Sequence, residues 1–246
     1  MTTERLRTEE FQYQRGADRL KAYGAWLLRH DRQPAIIIIP DVRGLSEHYR
    51  DVARRFAAEG FFALAVDLYS REGAPDLPTM ESVFAWIQNL DDRRVLGDID
   101  AAVRFLATRL DVRSRSIGVT GFCMGGQYAL MAACTVPGLA ACVSFYGMLR
   151  YAQTTERKPA SPLELAPQLA CPFLGLFGAD DALIPAGDVR ELGRLLRRHG
   201  KVFQTKVYPG AGHAFFNDTR PDAFRPDAAK DAWRRAVRFL RSHLDH

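Results

Sequence analysis

One cysteine lies in a setting that suits a nucleophile. Cys123 is the third residue of Gly-Phe-Cys-Met-Gly-Gly at 121–126, with glycines two residues before and after it. This is the Gly-x-nucleophile-x-Gly pattern of a sharp turn between a strand and a helix, with cysteine where serine is usual. Glycines let strand and helix approach, so the central residue can hold a strained backbone with its side chain exposed. The helix N-terminus would stabilise a thiolate. The alternative is a glycine-rich tight turn with an incidental buried cysteine.

A base and an acid follow in the chain order that such a nucleophile requires. His213 lies in a glycine-rich loop, Pro-Gly-Ala-Gly-His, directly after an apolar, strand-like run. The candidate acid is Asp180 or Asp181, on the loop after the preceding strand-like run. The order of nucleophile, acid and base along the chain argues against the alternative of an incidental turn. The other histidines have helical or terminal polar contexts and are expected to be solvated: His30, His48, His199, His243 and His246.

The elements that must position these residues alternate between short apolar runs and longer amphipathic runs. This alternation predicts an α/β fold, a mainly parallel sheet with helices on both faces. Parallel sheets hold ligands beyond the carboxyl ends of their strands, where all three candidates fall. Without a repeat or a Ser/Gly-rich linker, one domain over 1–246 is expected. Strands are predicted at 35–39, 61–66, 116–120, 139–146, 172–177 and 202–208, helices at 46–60, 96–110, 124–134, 189–198 and 228–244, and an antiparallel start within 10–28.

Composition excludes several classes of protein. With 246 residues, 47% of them hydrophobic, the chain can bury a core and is not disordered. The net charge of +5 comes from basic residues spread among acidic ones, so no nucleic-acid partner is expected. The first seven residues are polar and the longest apolar run is 35–40, so neither a signal peptide nor a membrane partner is expected. The four cysteines form no C-x-x-C pair, which predicts reduced thiols, no metal site and a cytoplasmic protein.

Four short motifs resemble those of a known family. They are Gly-Phe-Cys-Met-Gly-Gly at 121–126, Asp-Leu-Tyr at 67–69, Gly-x-x-Asp-x-x-x-Pro at 178–185 and Ala-Gly-His-Ala-Phe at 211–215. From about residue 35 to its C-terminus, the chain is similar to the dienelactone hydrolases. The resemblance implies the α/β-hydrolase fold and a triad of Cys123, Asp181 and His213, because the third motif aligns Asp181 with the family's acid.

The resemblance also implies a mechanism. Cys123 would attack an acyl carbonyl, His213 would take or hold the thiol proton, and Asp181 would fix the imidazole tautomer. By analogy with the family, the backbone N–H groups of Met124 and Val42 would hold the oxyanion. Hydrolysis through a thioester would need no metal or organic cofactor.

The chain departs from the family pattern at two positions. Asp41 stands where the best-known members have a Glu that restrains the resting cysteine, and its shorter side chain loosens that restraint. Asn217 stands four residues after His213, where those members have an Arg that anchors the substrate carboxylate. An amide offers no charge for this contact, so neutral esters or lactones are expected to be preferred. Arg43 or Arg71 could supply the cation instead, although an ordinary surface arginine is the alternative for each.

Two aromatic residues are candidates for lining the substrate pocket. Tyr146 follows a predicted strand, and a core tyrosine is the equal alternative. Phe215 belongs to an aromatic segment that is expected to wrap the rim of the site together with Asn217.

The sequence therefore predicts a hydrolase of small esters or lactones, with a small-molecule substrate as its partner and a monomer or homodimer as its assembly. A broad carboxylesterase or thioesterase is the alternative within the same chemistry. A non-catalytic α/β-hydrolase-like binding protein is the alternative from a different class, although such proteins usually lose a triad member. A redox sensor ranks below these because no second cysteine is placed to resolve a sulfenic acid at Cys123.

Overall fold

In the computed structural model, which describes residues 5–245, eight strands form one sheet. The strands are β1 (Leu6–Arg15), β2 (Asp18–Leu27), β3 (Gln33–Ile39), β4 (Phe62–Val66), β5 (Val112–Phe122), β6 (Ala141–Phe145), β7 (Phe173–Gly178) and β8 (Phe203–Tyr208). Their spatial order is β1-β2-β4-β3-β5-β6-β7-β8. Strand β2 pairs antiparallel with both β1 and β4, and the pairs from β4 to β8 are parallel.

Helices cover both faces of this sheet, as the alternating sequence predicts. They are α1 (Glu47–Ala58), α2 (Met80–Asn89), α3 (Asp92–Ala107), α4 (Met124–Thr135), α5 (Pro162–Leu165), α6 (Ala186–Arg198) and α7 (Pro226–Leu244). Helices α1 and α7 share one face, where Phe56 and Trp233 pack with ring centroids 4.4 Å apart, while α3 and α4 contact each other on the opposite face. Every residue of β3 is buried because its two faces are both covered.

The predicted fold class, a mainly parallel sheet with helices on both faces, is therefore confirmed. The predicted elements differ from the observed ones mainly at their ends. The helix predicted at 96–110 begins four residues earlier, at Asp92, because the Asp91 carboxylate accepts from the N–H groups of Arg93 and Arg94 and caps it. Helix α2 is not among the predicted elements, and a capping box formed by Thr79 and Ser82 begins it.

The strand order determines where a site can form. From β3 the chain moves to β4 on one side and then returns to β5 on the other side, so the order reverses between β3 and β5. Loops diverge at such a point and leave a crevice beyond the carboxyl ends of the strands. Ile39 at the end of β3 pairs with Gly121 near the end of β5. The segments that follow these strands, with Asp41 on one and Cys123 on the other, therefore meet at this crevice.

Candidate active site

The turn that carries Cys123 has the strained geometry that its glycines predict. Cys123 lies between β5 and α4 with φ 55° and ψ −120°, a region that non-glycine residues rarely occupy. A Cβ on Gly121 would lie 1.9 Å from the carbonyl oxygen of Gly125, and a Cβ on Gly125 would lie 2.1 Å from the carbonyl oxygen of Ile39. Both glycines are therefore required for the close approach of strand and helix, which leaves the Cys123 side chain half-buried rather than enclosed.

The structure brings Asp181, and not its neighbour, to the predicted base. The Nδ1 atom of His213 lies 2.8 Å from Oδ2 of Asp181. The other oxygen, Oδ1, accepts the N–H of Leu183 at 2.9 Å, so both carboxylate oxygens are held in place. The Asp181 side chain is fully buried, whereas Asp180 is exposed. Only Asp181 can therefore fix the orientation of the imidazole.

The remaining imidazole nitrogen faces the cysteine. Nε2 of His213 is buried, makes no close hydrogen bond within residues 5–245, and lies within electrostatic reach of the Cys123 sulfur. Burial disfavours the imidazolium, but the Cys123 sulfur and the Asp181 carboxylate outweigh this and raise the pKa of His213 to about 10. The arrangement thus places an imidazole that Asp181 holds in one orientation beside the Cys123 thiol, where it can accept or donate a proton.

Two backbone segments near Cys123 carry the N–H groups that the sequence resemblance assigns to an oxyanion. Met124 is the first residue of α4, and the first N–H groups of a helix have no intrahelical acceptor. Val42 lies in the turn after β3, is buried, and is held by the Tyr69 hydroxyl, which donates to its carbonyl oxygen at 2.9 Å. These positions suit a pair of donors for an oxyanion, the role that the sequence resemblance implies for them.

Asp41 is buried beside the nucleophile. It is 8% exposed, and its Oδ1 accepts the N–H of Arg43 at 2.9 Å. The carboxylate also faces the buried Tyr49, where burial first and Asp41 second raise the pKa of the hydroxyl. Asp41 is therefore fixed in the turn that bears Val42.

A cavity of about 340 Å³ adjoins Asp41 and contains two arginines. Its lining residues are Asp41, Arg43, Ser46, Asn217, Thr219 and Arg220. Arg43 is exposed, and the Arg220 side chain is 37% exposed with one distant partner, the Asp222 carboxylate at 3.8 Å. Sequence reasoning missed Arg220, seven residues after His213, because no local pattern marks it. The cavity thus presents a cation near Asn217, although Asn217 itself is uncharged.

Asn217 contributes to the shape of its loop rather than to substrate binding, which is the role that its position in the sequence suggests. It is 5% exposed, and its Oδ1 accepts from both the N–H of Thr219 at 3.0 Å and the hydroxyl of Thr219 at 2.6 Å. The Arg220 N–H in turn donates to the Asn217 carbonyl oxygen at 3.1 Å. Asn217 therefore shapes the turn that presents Arg220.

The structure does not bring Arg71 into this site. Its guanidinium forms a bidentate pair with the Asp98 carboxylate, at 2.8 and 2.9 Å, and a third contact with Asp18 at 2.7 Å. Because these carboxylates occupy its N–H donors, the Arg71 guanidinium has no free pair of N–H groups to bind a substrate carboxylate. Of the two arginines that the sequence offered as replacement cations, only Arg43 lines the cavity beside Asp41.

Of the two predicted aromatic residues, Tyr146 packs against the base and Phe215 packs against Tyr146. Phe215 is buried, so it does not form the rim that the sequence predicts. Tyr146 is 1% exposed with φ 39°, and its ring centroid lies 5.3 Å from that of His213 and 5.3 Å from that of Phe215. Its hydroxyl is buried without a hydrogen-bond partner in the described chain. Burial first, then Asp41 and Cys123, raise the pKa of Tyr146, and Arg220 acts in the opposite direction. Tyr146 therefore lies within electrostatic range of the nucleophile and of the arginine cavity.

One histidine differs from its prediction. His48 was expected to be solvated, but it is 5% exposed within α1 because that face of the helix packs on Phe216. Its Nδ1 lies 3.1 Å from Oδ1 of Asp218, on the loop that carries His213. Burial lowers the pKa of His48, against the opposing charge of Asp218. A periodicity reading of α1 could have found this, because His48 precedes the buried positions Val52 and Phe56 by four and eight residues.

The burial of His48 predicts an acid-sensitive stability. A histidine with a lowered native pKa binds its proton more readily in the unfolded chain, so stability falls as pH drops below about 6.5. His48→Gln keeps a hydrogen-bonding group without this proton. We expect the wild type to lose more unfolding free energy than the variant between pH 7.5 and pH 5.5, as measured by urea unfolding. Equal losses in the two proteins would contradict the prediction.

Other kinds of site find no support in residues 5–245. No group of three or more potential ligand residues is placed to hold a metal ion there. No helix in that part of the chain is both long and apolar enough to cross a bilayer. Cys134, Cys142 and Cys171 are buried free thiols, consistent with core positions.

The order of the sheet and the strained turn at the end of β5 define an α/β hydrolase. Residues 21–244 match the model of the dienelactone hydrolase family, and the chain belongs to that family. It is accordingly a hydrolase that acts on ester bonds of the lactone type.

Named relatives and a solved structure agree with this membership. A Bradyrhizobium protein provisionally assigned as a 2-oxo-3-(5-oxofuran-2-ylidene)propanoate lactonase is 42% identical over 93% of this chain and 91% of its own. A Methylorubrum extorquens protein provisionally assigned as a carboxymethylenebutenolidase is 35% identical over 91% and 77%. The crystal structure of a protein provisionally assigned as a dienelactone hydrolase from Klebsiella pneumoniae superposes with a TM-score of 0.90, at 32% identity over 96% of this chain and 98% of the other.

Proposed function

We propose that this protein is a cysteine-dependent lactonase that acts through Cys123, His213 and Asp181. The observation that carries the proposal is the line of contacts from a buried carboxylate to an imidazole to a half-buried thiol on a strained turn. Buried polar groups held in this order cost stability in most settings, and they are typical of nucleophilic catalysis.

The reaction follows from the positions of these groups. The Cys123 thiol gives its proton to Nε2 of His213, and its sulfur attacks the lactone carbonyl carbon, forming a C–S bond while the carbonyl electrons move to oxygen. The N–H groups of Met124 and Val42 stabilise this oxyanion. When the tetrahedral adduct collapses, the ring C–O bond breaks and the imidazolium of His213 donates its proton to the leaving oxygen. The products of this half-reaction are an opened ring and a thioester.

Water then completes the cycle. The neutral imidazole of His213 takes a proton from water, whose oxygen attacks the thioester carbon. Collapse of the second adduct breaks the C–S bond, releases the carboxylic acid and restores the thiolate beside the imidazolium. Asp181 holds the imidazole in one tautomer throughout, because Nδ1–H donates to its carboxylate.

The substrate class that the site supports is a small lactone bearing a carboxylate. Arg43 and Arg220 line the cavity beside Asp41, so two cations face one anion there. This revises the preference for neutral substrates that Asn217 predicts from sequence, because Arg220 lies three residues further along the same loop. The name of the Bradyrhizobium relative describes an unsaturated lactone with a 2-oxo carboxylate, which has this chemistry.

A hydrolysis panel tests the proposed function. The panel contains a carboxylated unsaturated lactone, its neutral methyl ester, p-nitrophenyl acetate and an acyl thioester, each assayed with wild type and Cys123→Ala. We expect the highest kcat/KM for the carboxylated lactone and, for the variant, a rate lower by roughly four orders of magnitude or more on every substrate. A preference for the thioester would favour the thioesterase alternative, and a complete lack of turnover would favour the binding-protein alternative.

Arg220 is expected to determine the charge preference. Arg220→Gln should lower kcat/KM for the carboxylated lactone by about tenfold, because a charge-assisted contact contributes about 1.5–3 kcal/mol and partial exposure reduces this. The neutral methyl ester should change by less than about twofold. Arg198→Gln, an exposed arginine on α6, is the matched control. An equal loss on both substrates would show that Arg220 acts on the fold of the loop and not on the substrate charge.

A further inference from the structure

A buried ion pair joins α3, α4 and the segment between β6 and α5. Nζ of Lys158 lies 2.8 Å from Oδ1 of Asp92, and the two side chains are 0% and 2% exposed. Nζ also donates to the Tyr128 hydroxyl at 3.2 Å, and that hydroxyl donates to Oδ1 of Asp92 at 2.8 Å. Asp92 is the first residue of α3, Tyr128 belongs to α4, and Lys158 belongs to residues 147–161, the β6–α5 segment.

A second tyrosine hydroxyl extends this pair to the helix of the nucleophile. A hydroxyl has a single hydrogen and an ionised carboxylate can only accept, so Tyr151 donates to Oδ2 of Asp92, 2.9 Å away. The thioether of Met131, at 3.5 Å, is a weaker acceptor for that hydrogen. The Tyr151 oxygen accepts from Nε2 of Gln127 at 2.8 Å. These contacts form the Asp92 network, which consists of Asp92, Gln127, Tyr128, Tyr151 and Lys158.

The Asp92 network reaches the nucleophile through Gln127. This residue lies one helical turn after Cys123, and its N–H donates to the Cys123 carbonyl oxygen at 3.1 Å. The same turn of α4 begins with Met124, whose N–H is a candidate donor to the oxyanion. His213 lies on a different loop, where Asp181 holds it. A shift of α4 would therefore move the sulfur and the Met124 N–H together, relative to the imidazole.

The β6–α5 segment packs against the same turn of α4. A Cβ on Gly147 would lie 2.4 Å from the carbonyl carbon of Gly126 and 2.5 Å from the nitrogen of Gln127, so two backbones are in contact there. Further along the segment, the Arg157 carbonyl oxygen accepts the N–H of Asp92 at 2.9 Å. The segment thus contacts α4 at its start and α3 near its end, and the Asp92 network joins these two contacts.

Stability alone does not account for a buried charged pair. Burial lowers the pKa of Lys158 although Asp92 opposes this, so keeping the ammonium charged costs free energy. Well-packed apolar side chains of similar volume are often as stable as a buried ion pair or more stable. Apolar contacts have no direction, however, whereas the hydrogen bonds of the Asp92 network hold α3, α4 and the β6–α5 segment in one arrangement.

We propose that Asp92, Tyr151 and Lys158 are positioning residues for hydrolysis, which act by fixing the first turn of α4 relative to the catalytic histidine. This inference rests on the proposed function, because the positioned atoms are the Cys123 sulfur and the Met124 N–H. A misplacement of about 1 Å can lower a rate by about 100-fold. Loss of the network should therefore lower kcat, whereas KM, which reflects the separate substrate cavity, should change little.

Two variants test the positioning role. Tyr151→Phe removes the hydroxyl between Gln127 and Asp92 but leaves the ion pair in place, so kcat for a small lactone should fall by about tenfold with KM within about twofold of wild type. Lys158→Met/Asp92→Leu replaces the pair by apolar side chains and should lower kcat by at least about tenfold. Both are assayed at a temperature at which circular dichroism shows them to be folded. If the double variant does not fold, Tyr151→Phe decides.

Asp98→Asn is the matched control for lost stability. Asp98 is also buried on α3 and pairs with Arg15 and Arg71, outside the Asp92 network. The control should lower Tm at least as much as Tyr151→Phe does, with kcat unchanged. A merely structural role for the network would make kcat follow Tm in all three variants.

Hydrogen exchange separates a failure of this inference from a failure of the proposed function. Amide exchange within residues 123–128 should be faster in Tyr151→Phe than in wild type and no faster in Asp98→Asn, whatever the substrate. Absence of lactone turnover by the wild type would refute the proposed function, and the exchange rates would still decide whether the network holds this turn. The inference is overturned if Tyr151→Phe and Lys158→Met/Asp92→Leu both keep kcat within about twofold of wild type, or if exchange within 123–128 is unchanged.

Discussion

Replacing Cys123 by alanine is expected to lower kcat by roughly four orders of magnitude or more, because removal of the nucleophile from a triad leaves only the residual catalysis of binding and oxyanion stabilisation. The variant should fold normally, since the side chain is half-buried and makes no cap to α4. Cys134→Ala is the matched control and should retain the wild-type rate. The measurement is hydrolysis of a small lactone under saturating conditions.

Chemical modification offers an independent measure of the same residue. Iodoacetamide reacts with thiolates, and burial raises the pKa of Cys134 and of Cys171 to about 12, so neither is ionised at neutral pH. Burial likewise raises the pKa of Cys142. Labelling should therefore occur first at Cys123, with activity lost in proportion to the modified fraction. Full activity after stoichiometric modification of Cys123 would refute its role as the nucleophile.

Local sequence patterns predicted those parts of the structure that depend on local geometry. Gly121 predicts the sharp turn because the contact that excludes a Cβ there is local, with the backbone of Gly125, whereas the contact at Gly125 is with the end of β3 and depends on the order of the sheet. The isoleucines of β3 predict a buried parallel strand, because both faces of such a strand lie under helices and must be apolar. The family resemblance then added the choice of Asp181 over Asp180, through the Gly-x-x-Asp-x-x-x-Pro motif at 178–185.

The sequence did not predict those details of the site that depend on contacts between distant parts of the chain. Residue chemistry alone leaves Asp180 and Asp181 equivalent; the family motif selects Asp181, and the path of the loop after β7 turns it toward His213. Arg71 follows the end of a strand, as Arg43 does, but its guanidinium pairs with the carboxylate of Asp98 on α3. Arg220 depends on a turn shaped by Asn217, which no periodicity predicts. For Asp181 and Arg71 the deciding partner lies in a distant part of the chain, whereas for Arg220 it lies in the same loop.

The roles of the two adjacent aspartates differ most sharply under isosteric substitution. Asp181→Asn is expected to lower kcat by about two to four orders of magnitude. With Oδ1 still accepting from Leu183, the new amide would present its NH₂ group to Nδ1 of His213. Nδ1 would then have to accept, which places the proton of the neutral ring on Nε2. A ring in that tautomer cannot take a proton from water or from the Cys123 thiol.

The same substitution removes a charge that favours the imidazolium. The Asp181 carboxylate contributes to the raised pKa of His213, so Asp181→Asn should lower that pKa and shift the alkaline limb of the pH–rate profile to lower pH. Asp180→Asn is the matched control: the residue is exposed, and its variant should stay within about twofold of wild type with an unchanged profile. Steady-state rates between pH 5 and pH 10 measure both effects. If Asp180→Asn proves the more damaging substitution, the acid of the triad is Asp180, and the contact between Asp181 and His213 is not the one used in catalysis.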